Sequence, residues 1–311
     1  MEARDLKAEY LQVLRTQRNL SGHTVSNYKL DLDELAALAQ QAGAADLAAL
    51  DYFQIRRFTS QLHAQGQSPR SIARKLSSWR GFYRWLAQQQ AMPANPVDGI
   101  KAPKRSKSLP KALGPDDAVR LVSQTHNSNT NSPTLAANRA MFELLYSSGL
   151  RVSELVGLDV ANLAEKGHTS LGWVDLEQHE VVVTGKGNKQ RVVPVGRPAL
   201  EAVQAWLALR PSLQKLDTHA LFLTERGTRM SARLVQMRLK AHAQSLDIPA
   251  DVHPHVLRHS FASHVLQSSG DLRAVQEMLG HSSIAATQVY TALDFQHLSK
   301  VYDQAHPRAK K

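Results

Sequence analysis

The sequence predicts a mainly α protein of two domains with one small antiparallel β-sheet, and three observations lead there. Apolar side chains recur at helical intervals through four stretches of residues 1–100, with turn signals between them and no strand pattern. Residues 101–111, KAPKRSKSLPK, mix Pro, Ser and basic side chains without periodicity, which marks a linker. β-branched runs then occur only around 173–195, inside an otherwise helical second half. The expected layout is a helical domain at 1–100, a basic linker at 101–111 and a mixed α+β domain at 112–311. With 311 residues and 42% hydrophobic content, the chain is long enough to bury a core in each.

In the first domain, Leu6, Tyr10, Val13 and Leu14 outline one helix, and Ser21 caps a second that runs through Leu35 and Leu38. Asp51 opens a third that ends near Gly66. Ser68 and Pro69 open a fourth, whose stripe Ile72, Leu76, Trp79, Tyr83, Leu86 is spaced for a core. In the second domain, Gly114, Pro115 and Asp116 precede a helix through Leu121, HNSNTNSPT at 126–134 reads as irregular, and a helix at 135–148 ends in Ser-Ser-Gly. Another helix begins at Leu150-Arg151. Glu180–Thr184 and Arg191–Val195 flank GKGNKQ and read as a β-hairpin with Lys186 in its turn, while Trp173–Glu177 can supply a third strand. From Pro198 onward the pattern reads as helical.

The composition narrows the chemistry. There is no cysteine, which removes disulfides, thiolate catalysis and cysteine-ligated zinc together. No apolar run is long enough to span a membrane and the N-terminus is charged from the start, so a cytoplasmic protein with no membrane partner is expected. The net charge of +11 favours a polyanionic partner, and most of the excess lies in residues 1–111. The fourth helix contributes Arg70, Arg74, Lys75, Arg80 and Arg84 on its polar sides, spaced so that several can follow one phosphate track. Four of them, Arg70, Arg74, Arg80 and Arg84, are the expected DNA-binding residues. A solvated basic face is the plain alternative.

The stretch from His253 to Thr291 carries the most specific pattern. Pro254 suits a first helical turn, Leu257, Phe261 and Val265 form a buried stripe, and His255 and Arg258 share the other face. Gly270 with Asp271 reads as a stop and a new N-cap, Gly280 as the next stop, and Ser282 or Ser283 as the cap of a helix carrying Tyr290. Two imidazoles, a guanidinium and a phenol are thus gathered. An Arg offers a planar fork to phosphate, a His moves protons near neutrality and a Tyr can attack phosphorus, so the set points to phosphoryl transfer. His255 and His259 also stand at a zinc-compatible spacing, but Val256 occupies the place of a zinc protease's Glu and no third ligand is evident, so no metal is expected.

H-x-x-R at 255–258, L-G-H at 279–281 and a Tyr nine residues later resemble the tyrosine recombinases, the phage-integrase family. GLRVSEL at 149–155 and TGKGNKQR at 184–191 extend the resemblance, and the tail LDFQHLSKVYDQAHPRA is similar to that of one of the two bacterial Xer recombinases. The stretches 126–134 and 164–173 look longer than the family usually has. The resemblance implies a two-domain C-clamp DNA-binding enzyme with the catalytic set Arg151, Lys186, His255, Arg258, His281 and Tyr290. Tyr290 would form a 3′-phosphotyrosyl link, Arg151 and Arg258 would clamp the non-bridging oxygens, and His255 would be base and cation. His281 would bond the phosphate, and Lys186 would protonate the leaving 5′-oxygen, with no metal or cofactor. The implied partners are double-stranded DNA with a dif-type site, a XerD-like recombinase in a heterotetramer and the FtsK translocase. Rival readings are a XerD-like, plasmid or phage integrase, a type IB topoisomerase and a non-catalytic DNA-binding protein.

Overall fold

The computed structural model describes residues 5–104 except 19, 45 and 91, then 112–124, 132–185 except 166, 189–248, 251–280 and 307. It divides into two compact units, residues 1–108 and 109–311. Mostly helical, with small antiparallel sheets, it has the predicted fold class. No helix among the described residues is long and apolar enough to cross a membrane.

The first unit packs α1 (Leu6–Thr16), α2 (Gly22–Gln41), α3 (Tyr52–Ala64) and α4 (Pro69–Gln89). Its caps are local and do what their residue types suggest. The Ser21 hydroxyl accepts from the Thr24 amide, Asp51 and Gln54 form a capping box, and the Ser68 hydroxyl accepts from the Ser71 amide ahead of Pro69. Tyr10, Leu14, Leu35 and the whole α4 stripe are buried. Trp79 donates its indole N–H to the Asp31 carbonyl at 2.8 Å, locking α4 to α2. A short 3₁₀ turn at Leu47–Ala49, which the periodicity did not reveal, accepts the Tyr83 hydroxyl at the Leu47 carbonyl, 2.7 Å away.

The second unit begins with α5 (Pro115–Ser123) and α6 (Pro133–Ser147). Ser132 caps α6 and Pro133 starts it, so the helix begins two residues before the predicted 135 and takes the end of the stretch read as irregular. After the single turn of α7 (Val152–Val156) come β1 (Ala164–Glu165) and β2 (His168–Thr169), a pair that the sequence did not announce. β3 (Gly172–Asp175), β4 (Glu180–Thr184) and β5 (Gln190–Pro194) form the antiparallel sheet in the order β3-β4-β5, as expected of the hairpin and its third strand. After the sheet come α8 (Arg197–Leu209), α9 (Ala232–Ser245), α10 (Pro254–Ser269) and α11 (Leu272–Leu279).

Between α8 and α9 the chain is not continuously helical. Residues 213–231 are held by polar bonds around buried Asp159, which accepts from Arg229 at 2.6 Å and from His168 Nε2 at 2.7 Å. A buried carboxylate with two donors can fix irregular backbone that has no periodicity to reveal it. The core of this unit runs from α5 and α6 across Val181, Val183 and Val193 to Leu257, Phe261 and Val265 of α10.

Candidate active site

Gly149 ends the α6 connection with φ +57°, and a Cβ there would stand 2.5 Å from the ring of Phe261. The left-handed turn and the close approach of α10 both require glycine. Gly149→Ala is expected to lower unfolding stability by roughly 3 kcal/mol, combining left-handed strain with overpacking. A urea midpoint unchanged from the parent protein would contradict this.

The turn delivers Arg151 to the N-cap of α7, where its backbone N–H donates to Glu154 Oε2 at 2.8 Å and its guanidinium Nη1 to Oε1 at 2.8 Å. Glu154 is buried and also receives both terminal nitrogens of Arg191, at 2.8 and 2.7 Å. Burial pushes its carboxyl upward, but Arg191 and then Arg151 outweigh that, and its pKa falls to about 2.

That shift has a sign for stability. The unfolded carboxyl titrates near 4.5 and the folded one near 2, so the stabilisation is complete above 4.5 and is lost as pH falls toward 2. It amounts to roughly 3 kcal/mol. Glu154→Gln should therefore flatten the acid limb of the stability curve in that window, read from urea midpoints at successive pH values. An unaltered limb would place the sensitivity elsewhere.

α10 starts at Pro254 as predicted, and Gly270 (φ +67°) and Gly280 (φ +61°) are left-handed stops after α10 and α11. Asp271 caps α11 by accepting from the Ala274 amide at 2.9 Å. The expectation for Arg258 needs correcting. Its backbone position is on the same side of α10 as exposed His255, but its side chain is buried. It donates to the Gly149 carbonyl at 2.5 Å and the Leu279 carbonyl at 2.6 Å. What it keeps for a phosphate is the Nε–H and the second proton on each terminal nitrogen, not an open fork. Burial and the like charge of Arg151 bring its pKa down to about 10, which leaves it cationic at neutral pH.

Three successive carbonyls at the end of α11 thus each accept from a different arginine: Met278 from Arg191, Leu279 from Arg258, and Gly280 from Arg151 at 3.3 Å. A helix C-terminus leaves its last carbonyls unpaired and carries partial negative charge, so it gathers these cations. Arg151, Arg258 and the entry to His281 are thereby brought together. His281, Tyr290 and Lys186 lie outside the described residues, as do the predicted helix after Ser282 and the tail apart from residue 307. On the described residues flanking position 186, the Gly185 N–H donates to the Lys189 carbonyl at 2.8 Å.

The other histidines divide. His264 is buried: its Nε2–H donates to the Leu113 carbonyl at 2.9 Å, so Nδ1 accepts from the Tyr146 hydroxyl at 3.0 Å. His259, by contrast, is exposed. On α4, Arg74 bonds the buried Asp31 carboxylate, and Arg80 donates to the Val97 and Ile100 carbonyls at 3.2 and 3.1 Å. Arg70 and Arg84 are exposed, with no hydrogen-bond or ion-pair partner among the described residues.

Residues 111–297 match the profile of the phage integrase family, and residues 8–90 match the phage integrase N-terminal SAM-like domain. The chain belongs to the phage integrase family. It is a tyrosine recombinase, an enzyme of site-specific recombination. Tyrosine recombinase XerC 1 of Ralstonia nicotianae is 56% identical over 309 residues, covering 97% of this chain and 93% of that protein. Tyrosine recombinase XerC of Pseudomonas aeruginosa is 47% identical over 307 residues, covering 99% and 96%. The likeness to these XerC proteins thus extends over nearly the full chain. Two solved structures share its fold. The Tn1549 transposon integrase in complex with transposon right end DNA has a TM-score of 0.67 at 19% identity, covering 95% of this chain and 98% of that one. XerH bound to a palindromic difH substrate has a TM-score of 0.64 at 21% identity, covering 96% and 84%.

Glu154 and Arg191 were missing from the sequence-derived site, although both lie inside its motifs. A signal existed for Arg191. It pairs with Val183 and alternates with Val193 on the core face of the sheet, where a charge requires a buried partner.

Proposed function

We propose that this recombinase cuts and rejoins DNA through a 3′-phosphotyrosyl intermediate, with Tyr290 as nucleophile, and acts with a XerD-like partner at dif-type sites to resolve chromosome dimers. The observation that carries the reading is the set of three arginines converging on Glu154 and the end of α11. A phosphodiester repels nucleophiles, and a fixed cluster of cations offsets that charge without a metal or cofactor. Arg151 and Arg258 contact the non-bridging oxygens, His255 assists Tyr290, His281 bonds the phosphate and Lys186 protonates the 5′-oxygen.

The phosphotyrosyl link conserves bond energy, so a 5′-hydroxyl of a second duplex reverses it without ATP. One nucleophile per chain cuts one strand, and full exchange takes four protomers, two of each partner, with FtsK as the controlling translocase. The helical domain at 1–100 and the catalytic domain at 112–311 both bind the duplex, joined by the basic linker at 101–111, and the protein works in the cytoplasm. XerH, which shares the fold, was solved on its difH substrate, and the XerC relatives match nearly the full chain; both support a dif-type duplex as substrate.

The test is a nicked dif-type suicide duplex, with the covalent adduct isolated and its residue mapped. An adduct on Tyr290 is expected; supercoil relaxation by the lone protein at no specific site would instead favour a topoisomerase. For the helical domain, Arg70→Gln and Arg84→Gln should each lower the salt-dependence slope of DNA binding by about one unit. Arg74→Gln and Arg80→Gln should also lower stability, because their donors hold the domain together. Unchanged slopes in all four variants would make this face a solvated one.

A further inference from the structure

Arg191 is buried on β5, five residues beyond Lys186, and all three of its nitrogens are used inside the protein. Nη1 and Nη2 take the two oxygens of Glu154, and Nε takes the Met278 carbonyl at 3.0 Å. It therefore ties the β4–β5 hairpin, the start of α7 and the end of α11 at one point. A Cβ on Gly280 would stand 3.0 Å from its Cδ, so the left-handed turn before His281 is moulded against the same side chain.

Glu154 has a competing use for its charge. It also accepts from Arg151, at Oε1 from Nη1 and at Oε2 from the backbone N–H, and among the described residues the Arg191 guanidinium is the one that bonds both of its oxygens. Without Arg191, a buried carboxylate would be left with one guanidinium, and the favoured arrangement is a bidentate pair. Arg151 would then turn its fork onto Glu154 and away from a phosphate. We propose that Arg191 is a positioning residue for strand cleavage: by occupying Glu154 and fixing the end of α11, it keeps Arg151 turned toward the scissile phosphate. This rests on the functional reading above, in which Arg151 stabilises the non-bridging oxygens.

The test uses the full-length protein and single-turnover adduct formation on two suicide duplexes. One carries the ordinary scissile phosphate and the other a methylphosphonate, in which a methyl replaces one charged non-bridging oxygen. Arg191→Met should slow the phosphate reaction on the order of 100-fold, the size of losing one transition-state donor. The methylphosphonate has less charge to offset, so on it Arg191→Met and Arg151→Ala should both come within about ten-fold of the parent.

Arg191→Met/Glu154→Gln has no carboxylate to draw Arg151 away, and it should regain roughly ten-fold over Arg191→Met on the phosphate. If Arg191→Met does not melt cooperatively, Arg191→Lys replaces it, since one ammonium cannot serve both Glu154 oxygens and Met278. The same selective recovery on methylphosphonate is expected of it. The proposal is overturned if the Arg191 variant matches the parent on phosphate. It is overturned equally if that variant stays as slow on methylphosphonate while Arg151→Ala recovers, because Arg191 then only holds the fold. No adduct from the parent protein on phosphate would instead overturn the functional reading itself.

Discussion

Tyr290→Phe is expected to bind a dif-type duplex with the affinity of the parent protein and to form no covalent adduct with it. The substitution removes a single oxygen and leaves ring, charge and packing volume in place. On the proposed reading, binding comes from phosphate contacts of the basic side chains, which a phenol-to-phenyl change does not remove. On the proposed mechanism cleavage does depend on the phenol, because there the phenolate oxygen is the atom that forms the new bond to phosphorus. The loss should therefore reach the detection limit of a gel assay for trapped adduct, while a filter-binding isotherm stays within a factor of about two. An adduct in the variant would remove Tyr290 from the nucleophile's role, and a large loss of affinity would show that the hydroxyl helps hold the active site together.

What was legible in the sequence was local. Ser21, Asp51, Ser68, Asp271, Gly270 and Gly280 set helix ends through bonds that span a few residues, so residue type and spacing revealed them. The strands around 180–194 were legible from their β-branched runs, and the period of two along the second places Arg191 on the inner face with Val193. What stayed hidden was long-range. Arg191 meets Glu154 across 37 residues and Arg258 meets Gly149 across 109, and neither separation leaves a periodic trace. Arg258 was read as a clamp because a guanidinium offers a planar fork to phosphate. Its burial becomes intelligible only once the end of α11 and the Gly149 turn are seen to supply acceptors. The β1–β2 pair and the 213–231 segment were missed for the same reason, since Asp159 organises both from a distance.

Lys186→Ala should cleave an ordinary duplex at least 100-fold more slowly than the parent and recover most of that loss on a duplex with sulfur at the bridging 5′ position. The argument is about the leaving group. A 5′-alkoxide is strongly basic and leaves only as a proton arrives, whereas a thiolate, with a pKa of about 8.5 in the cysteine case, leaves without one. Lys186 follows Gly185, where the base of the β4–β5 turn is closed by a backbone bond, so the substitution need not disturb the sheet that holds Arg191. The recovery has to be selective to mean general acid catalysis. Arg258→Ala removes charge from around the non-bridging oxygens and also strips a donor from the Gly149 and Leu279 carbonyls. Neither defect lies at the leaving atom, and Arg258→Ala should stay slow on both duplexes. Equal slowness of Lys186→Ala on the oxygen and sulfur substrates would mean that Lys186 positions the phosphate or the hairpin. The proton would then come from another group, with His281, the residue that follows the Gly280 stop, the first to be tested in the same way.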